Sequence, residues 1–255
     1  STKRGFINER NIIKSLMREA WSTYPVNKIT ADVIGKFRDK QLKTITGTSI
    51  NRKLDVISTI FTTCKKEWGY PVPNPVLSIR RPKKSGARDR RLTDKELNLL
   101  IKGNHTNEMM RTVMQIMLET AMRPGEVIRI SHDHVKGHTL FIPIAKTKPR
   151  TIPLTEKGLA LIKGAKLPFI TTVDAIGKKF AKLCHHYKIK DAVIYDIRHN
   201  ALTDFMRVKN LDLQSTMLIA GHSDPRMLMS TYSNLQVEHV AEKLKLVRVN
   251  GNKLN

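Results

Sequence analysis

The chain has 255 residues, with 46 Lys and Arg against 22 Asp and Glu, a formal net charge of +24. A composition of 40% hydrophobic and 27% charged residues excludes a disordered chain, and no apolar run approaches the roughly 18 residues a bilayer span needs. The length suits one large domain or two modest ones, and the charge excess calls for a polyanionic partner, foremost nucleic acid.

The opening STKRGFINER has no apolar h-region, so no signal peptide is expected; it also lacks Met, as the interior of a longer protein would. Thr30–Lys40 reads as a short helix. Thr48–Trp68 reads as a longer one, with Ile50, Leu54, Ile57, Ile60, Phe61 and Cys64 at three-to-four spacing. Arg52, Lys53, Lys65 and Lys66 lie among them, placed either to face a polyanion or to form the solvated side of the helix. The Pro-rich stretch Gly69–Pro75 ends it. Ile79–Arg91, IRRPKKSGARDRR, has no apolar periodicity and reads as an exposed basic linker. Residues 1–80 are therefore expected to form a small all-helical domain, 81–91 a basic linker and 92–255 a second domain.

Beyond the linker, Thr93-Asp-Lys-Glu96 is a capping-box pattern opening a helix through Ile101. Asn107–Met122 carries a dense stripe (Val113, Met114, Met117, Leu118, Ala121) that reads as a core helix, its methionines as core filler. His138–Leu154 differs: two short β-prone runs flank Lys146-Thr-Lys-Pro149, a hairpin with a basic turn. Helices resume at Val173–Tyr187, Asp196–Lys209, Asp212–Ile219 and Val237–Val247. The fold class expected is mainly α with a small antiparallel β-sheet.

Residues 1–90 hold 20 Lys and Arg against 7 acids, and residues 91–255 hold 26 against 15. Both parts are basic, which fits two modules lying along one polyanion. Cys64 and Cys184 cannot make a disulfide framework, so a reducing, cytoplasmic setting is expected. His132-Asp133-His134 with His138, and Cys184-His185-His186, contain ligand types without the paired spacing of a zinc site. With no GxxxxGK[ST] and no GxGxxG either, neither metal nor nucleotide cofactor is expected.

Three clusters remain. Glu119-Thr-Ala-Met-Arg123-Pro-Gly-Glu126 joins two helices, with Pro124 suited to a first helical position and Arg123 at the turn. Tyr195-Asp-Ile-Arg198-His199 begins a helix. Gly221-His222 follows a helix end, and Tyr232 lies ten residues later. Singly each has an ordinary explanation. Together and in this order, ETAMRPGEVIRI, AKTKPRTIPL, YDIRHNALTDF and IAGHSDPRMLMSTYSNL make residues 91–235 resemble the catalytic domain of the tyrosine recombinases, the phage-integrase family. TSINRKLDVISTIFTTCKKEWGYPVPNP resembles, more weakly, the family's helical core-binding domain.

The resemblance implies a site-specific recombinase that clamps double-stranded DNA between its two domains. It further implies action as a homotetramer through a Holliday junction, and leaves room for accessory DNA-bending proteins as partners. It implies Tyr232 as nucleophile, giving a 3′-phosphotyrosine, with Arg123 and Arg198 holding the phosphoryl oxygens. Lys146, or Lys148 two residues on, would protonate the leaving 5′-oxygen. His222 would hydrogen-bond the phosphate or assist the nucleophile, and Glu126 would orient its neighbours. Tyr195 stands where the family usually has His or another basic group; a phenol with an ordinary pKa of about 10 donates a hydrogen bond but accepts a proton poorly. His199 points about 100° away from its neighbour Arg198 on a helix and is not expected to stand in for the basic group absent at Tyr195. The C-terminal stripe Val237, Val240, Leu244 and Val247 suits packing on its own domain or, as in the family, on a neighbouring protomer. Two rivals stand beside this reading: a type IB topoisomerase, and a DNA-binding protein of the same fold without catalysis.

Overall fold

A computed structural model describes residues 5–86, 88, 90–143, 148–221 and 224–225. The chain parts into two compact units at Gly86.

The first unit is helical. Helix α1 spans Phe6–Leu16, α2 Ala31–Leu42 and α3 Gly47–Lys66. Thr30 and Thr46 cap α2 and α3, each hydroxyl accepting from a backbone N–H three residues on. The predicted three-to-four stripe buries Ile50, Leu54, Ile57, Phe61 and Cys64 against Leu16, Ile34, Phe37 and Val76. Ile60, read as part of that stripe, faces out instead. Gly69, at φ +71°, turns the chain after α3, a conformation that costs glycine nothing. The stretch read as an exposed linker is bonded along its first part. Arg38 Nη1 donates to Arg80 O (2.7 Å), Asn51 Nδ2 to Pro82 O (2.9 Å) and Ser85 N to Thr48 Oγ1 (2.9 Å), while Arg81 pairs with Asp55.

The second unit is built round a central helix. Helix α4 spans Asp94–Lys102, α5 Glu108–Thr120, α6 Pro124–Val127, α7 Glu156–Gly164, α8 Val173–His186, α9 Ile194–Arg207 and α10 Leu213–Ala220. The Thr93 capping box is present, with Thr93 N donating to Glu96 Oε2 and Glu96 N to Thr93 Oγ1. Met110, Val113, Met114, Ile116 and Met117 of α5 are all buried, too many for one narrow stripe, so the helix packs against α4, α7, α8 and α9 at once. Each such side chain contributes roughly 1.5–3 kcal/mol of burial free energy.

The predicted hairpin is there, as β2 (Thr139–Ile142) and β3 (Arg150–Pro153). A third short strand, β1 (Val135–Lys136), completes an antiparallel sheet in the order β1-β2-β3. Leu140 pairs with Ile152 and both face the core, whereas Phe141 faces out, the period-two alternation of a sheet covered on one side. Among the described residues no helix is long and apolar enough to cross a membrane. Cys64 and Cys184 are both buried, and burial pushes the Cys184 thiol up to about 11.

Candidate active site

Two arginines from separate chain segments converge on one carboxylate. Helix α5 ends at Ala121, which takes the left-handed conformation (φ +49°). The chain reverses through Met122 and restarts at Pro124, leaving Arg123 at the junction as the sequence predicts. Glu126, one turn on, returns to this junction: its Oε2 accepts from Arg123 N at 3.0 Å and its Oε1 from Arg123 Nη1 at 3.0 Å. Arg150, the first residue of β3, reaches the same carboxylate with both ends of its fork, Nη1 to Oε1 at 3.0 Å and Nη2 to Oε2 at 2.9 Å. Only 3% of the Glu126 side chain is exposed, and 12% and 10% of those of Arg123 and Arg150.

Arg198 comes from the first turns of α9 and is held by backbone. Its Nη1 donates to Ala121 O at the end of α5, and its Nη2 to Ala220 O at the end of α10 (2.7 Å). Helix C-terminal carbonyls suit a guanidinium because they carry the negative end of the helix dipole. Arg123 Nη1 also leans on Ala220 O, at 3.5 Å, so Arg123 and Arg198 share one acceptor. Gly221 then turns the chain at φ +64°, and a Cβ there would lie 2.9 Å from the Arg150 guanidinium. A glycine is required at this position on both counts.

The electrostatics follow from this crowding. Burial is the largest influence on Glu126 and raises its pKa. Arg150, the Arg123 N–H and the two guanidinium charges outweigh it and hold the carboxyl below its ordinary 4.5. Burial, then the charge of Arg123, pulls Arg198 down to about 9, with Arg150 adding to the push and Glu126 opposing it; the group is still protonated at neutral pH. Three guanidinium groups around one carboxylate leave two positive charges in a mostly buried site. Such an arrangement has the charge to hold an oxyanion, and planar forks match phosphoryl oxygens in pairs.

Of the residues singled out in the sequence, Arg123, Glu126 and Arg198 are thus brought together. Tyr195, one turn before Arg198 on α9, is exposed. Lys148 is exposed beside the hairpin turn. Lys146, His222, Tyr232 and the stripe from Val237 to Val247 lie outside the described residues. Arg150 was missed: it reads as one more cation of a basic turn, and nothing local marks its partner 24 residues away.

A second anchor supports α9. Asp196, its side chain fully buried, accepts from Val193 N (2.8 Å) and from Arg88 Nε (2.9 Å) and Nη2 (3.0 Å). Arg88 also pairs with Asp191 at 2.8 Å, and Arg90 with Glu96. Arg88 and Arg90 of the basic stretch are therefore tied to acids rather than free. Among the described residues no cluster of His, Cys, Asp and Glu is arranged to hold a metal ion.

In the first unit Arg52, Lys65 and Lys66 are exposed. Lys53 is not: it is half-buried, donates to Gln41 Oε1 at 2.8 Å and lies over the Phe37 ring.

No family model matches the chain. Sequence relatives are clear. A shufflon-specific DNA recombinase of Escherichia coli is 28% identical over 243 residues, 87% of this chain and 63% of that protein, so the chain spans under two thirds of its length. A Haemophilus influenzae protein described as an integrase/recombinase is 26% identical over 95% of this chain and 85% of its own length. Among solved structures, a lambda integrase dimer bound to a core site superposes with a TM-score of 0.78 at 17% identity, covering 91% of this chain and 89% of that one. A lambda integrase tetramer bound to a Holliday junction superposes at 0.74, with 17% identity over 88% of this chain and 73% of that one.

Proposed function

We propose that this chain, a homologue of integrases and recombinases that carries the tyrosine-recombinase fold, is a site-specific DNA recombinase. One observation carries the reading: Arg123, at the start of α6, and Arg198, on α9, meet at a shared carbonyl beside a buried carboxylate. That builds a rigid seat for a phosphodiester, and the transition state of transesterification is where such fixed positive charge counts most.

In this mechanism the Tyr232 phenolate attacks phosphorus. The new O–P bond forms as the bond to the 5′-oxygen breaks, leaving a 3′-phosphotyrosine. The phenol proton passes to His222 or water, and Lys146, with Lys148 as the alternative, returns a proton to the 5′-oxygen. The ester keeps the energy of the original bond, so rejoining needs neither nucleotide nor metal. Arg123 and Arg198 hold the phosphoryl oxygens, Tyr195 donates a hydrogen bond to them, and Glu126 fixes Arg123. Residues 92–255 form the catalytic domain and 1–80 the core-binding domain, joined by the basic residues 81–91. Phosphate contacts from Arg52, Lys65 and Lys66 give affinity with little sequence choice. Two recombination sites are exchanged by a homotetramer through a Holliday junction, with accessory DNA-bending proteins as further partners in the cytoplasm.

The test is covalent trapping on a nicked suicide site, read as a protein–DNA adduct on a denaturing gel. An adduct that survives EDTA and is lost in Tyr232→Phe is expected. No adduct on any cognate site overturns the enzymatic reading, and an adduct that persists in Tyr232→Phe overturns the choice of nucleophile.

A further inference from the structure

Arg150 has no part in that mechanism, yet it bonds the carboxylate that holds Arg123 and the carbonyl next to the one Arg123 and Arg198 share. We propose that Arg150 is the positioning residue that locks the β-hairpin, Glu126 and the end of α10 into one unit, setting the spacing of Arg123 and Arg198. The inference rests on the recombinase reading for its catalytic consequence, though not for the contacts themselves.

All three of its nitrogens are engaged: Nη1 and Nη2 with the two oxygens of Glu126, Nε with Ile219 O at 3.1 Å. Glu126 is the carboxylate that grips Arg123 through both side chain and backbone. Ile219 O precedes Ala220 O, the carbonyl that Arg123 and Arg198 share. One guanidinium thus fixes the carboxylate on one side and the terminal carbonyls on the other. Its flat face lies against Gly221, which leads into His222. Because it starts β3, opposite Ile142 in register, it ties the β2–β3 pair to the same block. With its nitrogens committed to protein, Arg150 orients other groups rather than binding the phosphate. A lysine supplies charge but no fork, so it can satisfy only one of these acceptors well.

The discriminating variant is Arg150→Lys in the full chain. Single-turnover adduct formation at saturating protein should fall on the order of 10²-fold, the cost of misplacing groups by about 1 Å. Affinity for an intact site, followed by fluorescence anisotropy, should stay within about twofold, since phosphate contacts across the protein supply it. Wild-type cleavage by Arg150→Lys, or equal losses in rate and affinity, overturns the proposal. Should that variant not fold, Glu126→Gln/Arg150→Gln removes the buried pair with no change in net charge, although Arg123 then loses its carboxylate partner; it should still bind DNA and cleave slowly, and wild-type cleavage by it overturns the proposal equally. A second arm needs no reaction. Thermal unfolding of Gly221→Ala, Arg150→Ala and the double variant should be non-additive, with Gly221→Ala milder once the guanidinium is gone. Additive midpoints overturn the contact and the proposal with it. A wild type that forms no adduct but shows this coupling sinks the recombinase reading and leaves the lock standing.

Discussion

Truncating Arg88 to Ala removes the side chain that neutralises a fully buried carboxylate. Among the described residues Asp196 would keep the Val193 N–H alone, having lost two donors at 2.9 and 3.0 Å. Breaking a buried ion pair from one side costs about 3–5 kcal/mol, because the remaining charge is stranded. The Arg88 side chain is 34% exposed, so water can follow it in, and the low end, about 3 kcal/mol, applies. For a unit of this size each kcal/mol moves the midpoint by roughly 2–4 °C, giving a fall of about 6–12 °C in the calorimetric transition of the second unit. Arg88→Lys should recover only part of this, since one ammonium cannot replace two parallel bonds. Asp196→Asn should cost less than Arg88→Ala, because the group left in the core is then neutral and Arg88 retains Asp191. Adduct formation should drop along with stability, because Arg198 lies only two residues beyond Asp196. An Arg88→Ala midpoint within about 2 °C of wild type, under 1 kcal/mol on the same scale, would refute the reasoning, since Asp196 would then not depend on that partner.

Glu126 is held below its ordinary 4.5 in the folded chain, so its contribution to stability is complete above that value and drains away as pH falls through the lowered one. Urea unfolding across about pH 3 to 6 should therefore show Glu126→Gln with a flatter acid limb than wild type; parallel limbs would contradict the assignment. In the first unit, Arg52→Ala, Lys65→Ala and Lys66→Ala should each reduce the slope of log affinity against log salt by about 1. Lys53→Ala should leave the slope unchanged, because its ammonium is spent on Gln41 and Phe37; a reduced slope for Lys53→Ala would show that it meets phosphate after all.

Periodicity and caps made much of the fold legible. The stripe of α3, the methionine-rich α5, the Thr93 box and the hairpin alternation are all local signals, and the structure repeats them. What escaped lacks such signals. Helix α1 buries only Leu16, so its pattern is too thin to read, and α7 is interrupted by Gly158 and ends on Gly164. Strand β1 has two residues and exists only because β2 pairs with it. The arginines show the same limit. Arg123 was legible because Pro124 fixes the turn it sits on. Arg150 and Arg88 were not, since their acids lie 24 and 108 residues away. A count of cations sees charge; it does not see which charges are already answered within the protein.

Arg198 is gripped by the carbonyls of Ala121 and Ala220, with no side chain in those contacts, and this has an evolutionary consequence. Substitution at either alanine alters no hydrogen-bonding group, so paired substitutions across relatives would not reveal the contact. Insertions and deletions would. Removing one residue from α5 or α10 turns the terminal carbonyl by about 100° and withdraws it by about 1.5 Å, enough to take it out of reach. Among descendants of this sequence, the lengths of those two helices should be fixed more strictly than the residues that compose them, while loops elsewhere in the second unit drift in length.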